Sequence, residues 1–90
     1  MERTISSLIA SADGGDPSAA DALFVTLYAE LHRLAQRQLA ASARDLTLGT
    51  TTLLHEAYLD MASRESEAYL DRGRFMAYAA KVMRGLIIDY

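Results

Sequence analysis

Residues 16–39, DPSAADALFVTLYAELHRLAQRQL, decide the fold class of this 90-residue chain. Asp16 can cap the free backbone donors of a helix, and Pro17 at the first helical position loses no hydrogen bond. Apolar residues then recur every three or four positions for about six turns, as in an amphipathic helix. These residues are Ala20, Leu23, Phe24, Leu27, Tyr28, Leu31, Leu34, Ala35 and Leu39. We therefore predict one long helix from residue 17 to about residue 39, with these side chains on its core face.

Three shorter helices are predicted around this long one, and no segment alternates as a strand does. They cover residues 2–12, 52–63 and 71–90, and the breaks between helices fall at Gly14-Gly15, at a loop over 42–50 and at a charged connector over 64–70. Each predicted helix has a single apolar stripe. The fold class is therefore all-α, a compact bundle of about four helices.

Composition limits the class of protein. Ninety residues suffice for one core, and the absence of Cys excludes a disulfide framework, a Cys-based zinc site and a thiol nucleophile. No apolar run reaches the roughly 18 residues that span a bilayer, and the N-terminus lacks a secretory signal, which predicts a cytoplasmic protein. His32 and His55 lie on different predicted helices, and no Gly-rich phosphate loop occurs. We therefore expect no metal, no cofactor and no enzymatic activity.

Charge is unevenly distributed along the chain. The formal net charge of −3 argues against a protein that coats nucleic acid by bulk electrostatics. Residues 46–71 hold five acidic residues and one basic residue, a net charge of −4, and residues 72–90 hold four basic residues and one acidic residue, a net charge of +3. Each run can be a solvated helix face, the commoner role of such runs. Because the acidic run is followed directly by the basic run, the chain could also bind two different partners.

Three runs together resemble region 2 of bacterial sigma factors of the extracytoplasmic-function (ECF) class. They are LYAELHRLA at 27–35, TTLLHEAYLDMA at 51–62 and FMAYAAKVMRGLIID at 75–89. The resemblance covers about residues 17–90, which gives a region 2-like domain at 16–90 after an N-terminal helix and hinge at 1–15. It implies a domain that binds the clamp helices of the RNA polymerase β′ subunit and that recognises and melts the −10 promoter element.

The resemblance also implies roles for individual residues. The polymerase-binding positions correspond to His55, Glu56, Leu59 and Asp60, and the DNA-binding positions to Ser66, Glu67, Tyr69, Arg72, Arg74, Lys81 and Arg84. The connector is similar to the loop that captures a flipped base of the non-template strand, with Tyr69 where relatives often carry Trp. The basic residues track phosphates. A simpler role stays open for each of two residues. Tyr69 could only pin the loop, and Arg84 could pair with Asp89 along the helix.

The chain departs from the family pattern at several points. Lys81 and Val82 stand where housekeeping sigma factors carry two melting aromatics, as is usual in the ECF class. Gly85 stands where many members have Asn. Region 4, which reads the −35 element, is missing, and the last residues, Ile88-Asp89-Tyr90, contain no helix stop signal. We therefore expect a piece of a longer protein.

A different class of function also stays open. With 51% hydrophobic residues, the chain could be a helical bundle that dimerises or binds protein and touches no nucleic acid. The sigma-factor interpretation predicts instead polymerase binding that is lost when the charge of Glu56 is reversed. An anti-sigma factor is a further partner that the family allows.

Overall fold

The computed structural model describes residues 4–42, 47–63 and 68–90, and in these residues the chain forms five helices and no strand. The helices are α1 (Ile5–Asp13), α2 (Pro17–Thr26), α3 (Tyr28–Ala41), α4 (Thr50–Ser63) and α5 (Arg72–Asp89). The predicted all-α bundle is confirmed, with five helices in these residues where four were predicted.

The additional helix arises because the predicted long helix is divided at Leu27. This residue has φ −100° and ψ 13°, although its N–H still donates to the carbonyl of Leu23 at 2.9 Å. No Gly or Pro marks the junction, but the β-branched Val25 and Thr26 precede it and lower helix propensity. The division allows α2 to pack mainly on α1 while α3 packs on α4 and α5. It also shifts the helical phase, so that Tyr28 is exposed and not in the predicted core position.

Side-chain caps fix the starts of α1, α2 and α5, and the cap of α2 by Asp16 is the one predicted above. The carboxylate of Asp16 accepts the backbone N–H of Ser18 at 3.0 Å at the start of α2, and that of Asp71 accepts the N–H of Arg74 at 2.8 Å at the start of α5. Gly15 makes the turn between α1 and α2 at φ +95°, a conformation that favours glycine. These helix starts and the turn before α2 are thus determined by residues close to them in the sequence.

Aromatic rings connect the helices through one core. Phe24 of α2 makes edge-to-face contacts with Tyr58 of α4 and with Phe75 of α5, with ring centroids 5.0 Å and 5.7 Å apart. Tyr69, in the loop before α5, packs edge-on against Phe75 at 4.9 Å. Such pairs contribute about 0.5–1.5 kcal/mol beyond the area they bury. The largest fully buried side chains are Phe75, Leu23, Leu31, Leu53, Leu54 and Met83. Phe75 is therefore the centre at which α2, α5 and the loop meet.

Candidate functional site

The outer face of α4 brings together the four residues predicted to bind polymerase. Leu53, Leu54, Ala57 and Met61 take the core side of this helix. His55, Glu56 and Leu59 are exposed, Leu59 to 58%, and Asp60 is half-buried beside them. Positions three and four apart share one side of a helix, so these side chains form one surface. Its apolar centre and charged rim are the arrangement found at protein–protein interfaces.

A hydrogen bond to α2 fixes the inner edge of α4. The Tyr58 hydroxyl donates to Oδ1 of Asp21 at 2.5 Å, and the half-buried ring packs against Phe24 as expected of a core residue. This hydrogen bond, together with desolvation and the negative charge of Asp21, raises the pKa of Tyr58 above its ordinary value of 10.0. The hydroxyl therefore stays protonated and bonded at neutral pH.

An apolar groove of about 330 Å³ borders the α4 surface on the side of α2 and α3. It is lined by Asp21, Phe24, Val25, Tyr28, Leu54, His55 and Tyr58. Val25 is 77% exposed at its edge and Tyr28 is 44% exposed. The single long helix predicted from the sequence put Tyr28 in the core, and nothing in the sequence singled out Val25. The β-branched pair before Leu27 was the available signal of the break.

The outer face of α5 carries three of the predicted DNA-binding residues. Arg74, Lys81 and Arg84 are all exposed, at spacings of seven and three positions that place them on one side of the helix. In the part of the chain that the structure describes, no ion pair joins Arg84 to Asp89. Five positions along a helix separate two side chains by about 140°, too far around the axis for this pair. The three basic groups therefore form one positively charged surface.

The start of α5 carries two charge pairs, of which one reaches another helix and one is local. Arg72 forms an ion pair with Glu30 of α3, across 42 positions of sequence. Arg74 lies 3.7 Å from the carboxylate of Asp71, the residue that also caps the helix. Both pairs are solvent-exposed, so each contributes at most about 1 kcal/mol. Arg72 and Arg74 are consequently both engaged within the protein already.

The acidic and basic surfaces meet in a groove of about 320 Å³ between α4 and α5. It is lined by Asp60, Tyr78, Lys81, Val82, Gly85, Leu86 and Asp89. No atom of another residue lies within 4 Å of the position that a Cβ on Gly85 would take, apart from its chain neighbours and its own helix backbone. The groove is therefore open at Gly85.

The described part of the connector, residues 68–71, is held by α1. The backbone N–H of Tyr69 donates to Oδ1 of Asp13 at 2.7 Å, and the N–H of Leu70 donates to Oδ2 at 3.0 Å. Leu70 has φ +67°, a left-handed conformation that costs a residue with a Cβ about 1–2 kcal/mol. Nothing in the sequence signalled this contact, because Asp13 precedes Tyr69 by 56 positions. One carboxylate thus satisfies two successive backbone donors of the loop.

The two neighbouring residues of this loop point in opposite directions. Tyr69 is only 7% exposed and packs against Phe75 and Tyr78, whereas Leu70 is 61% exposed. The burial of Tyr69 favours the simpler of its two predicted roles, the pinning of the loop. The other two residues predicted to meet the flipped base, Ser66 and Glu67, lie outside the described residues.

Within residues 4–42, 47–63 and 68–90, no group of three His, Asp or Glu side chains could hold a metal ion. No helix there is long and apolar enough to cross a membrane.

Comparison with known proteins identifies the family. Neither the curated proteins nor the solved structures compared with this chain match it. The family model described as ECF sigma factor matches residues 2–90, so the match includes α1 as well as the segment on which the resemblance rested. The match covers nearly the whole chain, which therefore belongs to the ECF sigma factor family of non-catalytic transcription initiation factors.

Proposed function

We propose that this chain binds the RNA polymerase core through α4 and engages the −10 promoter element through α5 and the loop before it. One observation carries the proposal: two packed helices expose surfaces of opposite charge. The surface on α4 includes Glu56, and the surface on α5 includes Lys81 and Arg84. One molecule can then hold a protein partner and a nucleic acid at the same time.

The proposed protein partner is the pair of clamp helices of the β′ subunit, a coiled coil that bears Arg residues. Glu56 orients an opposing guanidinium, and the exposed Leu59 supplies apolar contact at the centre of the interface. His55 and Asp60 border this pair. The groove at Val25 and Tyr28 continues the apolar surface beyond His55. The interface therefore extends from α4 onto the α2–α3 junction.

The proposed nucleic-acid partner is the non-template strand of the −10 element. Arg74, Lys81 and Arg84 track its phosphates, a contribution that positions the strand and weakens as salt rises. Arg72 is paired with Glu30 and Arg74 with Asp71, so these two contribute less than Lys81 and Arg84 do. In the loop, Tyr69 serves as the anchor, and Ser66 and Glu67 are proposed to meet the edge of a flipped base.

This function has two corollaries for the cell. The RNA polymerase core and the promoter are cytoplasmic, so we propose the same location for this chain. An anti-sigma factor that covers the α4 surface would block polymerase binding, and one that covers α5 would block promoter binding. The acidic and basic character of the two surfaces predicts that such a regulator carries the opposite charge on each contact.

The proposal is tested by titrating the chain with a β′ clamp-helix fragment, comparing wild type with Glu56→Lys. We expect wild-type binding at micromolar Kd or tighter, and at least a tenfold loss in the variant, because two like charges then oppose each other. Gln36→Lys places a lysine on an exposed position of α3 and controls for added charge. Circular dichroism of each variant checks that the fold is retained, as expected for an exposed side chain.

A reciprocal Arg→Glu change in the fragment gives a sharper version of this test. It should restore binding to Glu56→Lys and weaken binding to wild type. Equal binding by wild type and Glu56→Lys would remove α4 from the interface. A folded wild-type chain that forms a stable dimer in sedimentation velocity and does not bind the fragment would favour the second candidate, a self-associating helical bundle.

A further inference from the structure

The loop at residues 68–71 owes its conformation to a group from another helix. Two successive backbone N–H groups, those of Tyr69 and Leu70, point at the two oxygens of the Asp13 carboxylate. Successive N–H groups arranged in this way form a small anion-binding concavity. Here the anion is supplied by the last residue of α1. Without it, the loop would lose both of these hydrogen bonds to α1.

The consequence of this contact is a fixed division between a buried and a displayed side chain. Tyr69 is turned into the core against Phe75, and Leu70, held at φ +67°, is turned into water at 61% exposure. The left-handed conformation is unfavourable for a leucine backbone. Because the side chain of Leu70 is exposed, hydrophobic burial does little to offset that cost. Residues held in sparsely populated backbone conformations concentrate at functional sites. Leu70 is therefore the residue of this loop whose role needs an explanation beyond folding.

We infer that Asp13 is a positioning residue for promoter reading, which fixes the loop so that Leu70 presents an apolar surface to an unstacked promoter base. The inference rests on the proposed function and names the residue that meets the base. The face of every base is apolar enough to pack on an aliphatic side chain, and side chains such as leucine are used by DNA-binding proteins to contact unstacked base steps.

The charges around the loop are consistent with an approach of the base toward Leu70. The Asp13 carboxylate repels phosphate from the α1 side of the loop. Arg74 in the first turn of α5 attracts phosphate, an attraction that the Asp71 carboxylate 3.7 Å away reduces, and Lys81 lies further along the same side of the helix. A strand that runs along α5 with its phosphates toward Arg74 and Lys81 can turn a base back toward Leu70. Tyr69 contributes only by anchoring the loop, since its ring is already packed in the core.

The test uses RNA polymerase core loaded with the chain and a random pool of single-stranded DNA of about 12 nucleotides. Bound strands are sequenced to give the base preference at each position. In Leu70→Gly we expect the preference to disappear at one position and the affinity for the most enriched strand to fall by about fivefold or more. The melting temperature should be unchanged or higher, because glycine adopts positive φ without strain. Leu70→Met keeps an apolar side chain and should keep the preference.

Variants of Asp13 separate positioning from a general role in stability. Asp13→Ala should lose the preference at the same position as Leu70→Gly, and Asp13→Asn, which retains one acceptor oxygen, should lose part of it. A role in stability alone would lower the folded fraction and the yield of every complex, but the enriched sequence would stay the same. Binding to the β′ clamp-helix fragment should be unaffected in all four variants.

The outcomes distinguish this inference from the proposed function. If wild type enriches a sequence and Leu70→Gly enriches the same one with equal affinity, the inference is wrong and the proposed function stands. If the loaded polymerase enriches no sequence at all with wild type, promoter reading by this domain is refuted, and the role of Leu70 with it.

Discussion

The outer face of α4 and the loop at residues 68–71 are held in place by different kinds of interaction. In α4, the helical repeat that buries Leu54 and Ala57 also turns Glu56 and Leu59 outward, so neighbouring positions determine the surface. In the loop, the conformation depends on Asp13, far away in the sequence. A surface made by helical periodicity survives the loss of one contact. In the loop, by contrast, the loss of one carboxylate removes two backbone hydrogen bonds at once.

This difference fits the proposed tasks of the two regions. A polymerase contact needs a surface that is present before binding, because preorganised surfaces lose less conformational entropy on association. A base-reading loop needs a specific backbone conformation, and here an interaction from outside the loop holds it. The two regions nevertheless share one support, the aromatic core around Phe75.

Phe75→Ala has the largest expected effect, because it removes the support that both regions share. The centroid of its ring lies 4.9 Å from that of Tyr69 in the loop and 5.7 Å from that of Phe24. Phe24 in turn contacts Tyr58 of α4. Truncation of a fully buried Phe to Ala costs about 3–5 kcal/mol, a large fraction of the 5–15 kcal/mol that stabilises a typical domain. Urea unfolding followed by circular dichroism measures the change.

Phe75→Leu is the matched control for this variant. It keeps most of the buried volume and loses the edge-to-face contacts, so we expect a loss nearer 1–2 kcal/mol. A loss of less than about 1 kcal/mol in Phe75→Ala would contradict the placement of this ring at the junction of the two regions.

The sequence was sufficient to predict the fold class and the α4 surface. Both follow from interactions between residues a few positions apart: a capping residue, a Pro at the first turn and an apolar repeat. The helical repeat that buries Leu54 leaves His55, Glu56 and Leu59 outside, and the structure exposes all three. Their role in polymerase binding remains a prediction, because exposure alone does not identify a partner.

The parts that the sequence did not reveal depend on tertiary contacts. The break at Leu27 carries no Gly or Pro, and its value lies in letting α2 and α3 pack on different partners. The inward turn of Tyr69 depends on Phe75 and on Asp13 of α1. Aromatic residues in a polar connector are equally compatible with an exposed wall and with a buried anchor. Only the packing distinguishes the two.

Gly85→Ala is expected to stabilise the helical bundle and to leave the loop at residues 68–71 unchanged. A Cβ at this position of α5 meets no atom of another segment, and Ala is favoured over Gly inside a helix by about 0.8–1.0 kcal/mol. If amides of α4 exchange with solvent through global unfolding, their exchange should slow by about fivefold. We expect the amides of Tyr69 and Leu70 to open locally, so their exchange rates should stay unchanged.

Hydrogen exchange monitored by NMR, together with urea unfolding, measures both effects of Gly85→Ala. Equal slowing at Tyr69, Leu70 and the α4 amides would contradict the local opening of the loop. It would mean that the Asp13 contact breaks only when the whole bundle unfolds.

The smallest expected effect at neutral pH concerns Tyr58, whose hydroxyl joins α4 to α2. Its pKa is raised above 10.0, mainly by the hydrogen bond to Asp21, so the folded state favours the protonated hydroxyl. The stability from this preference is fully present below pH 10.0 and is lost as the pH rises through the raised pKa. The informative quantity is the difference in stability between wild type and Tyr58→Phe. Thermal unfolding from about pH 8 to pH 11 should show curves that converge as the pH rises, because the variant has no phenol to ionise. Parallel curves would mean that the Asp21 contact does not stabilise the fold, and α4 would then be held by its apolar face alone.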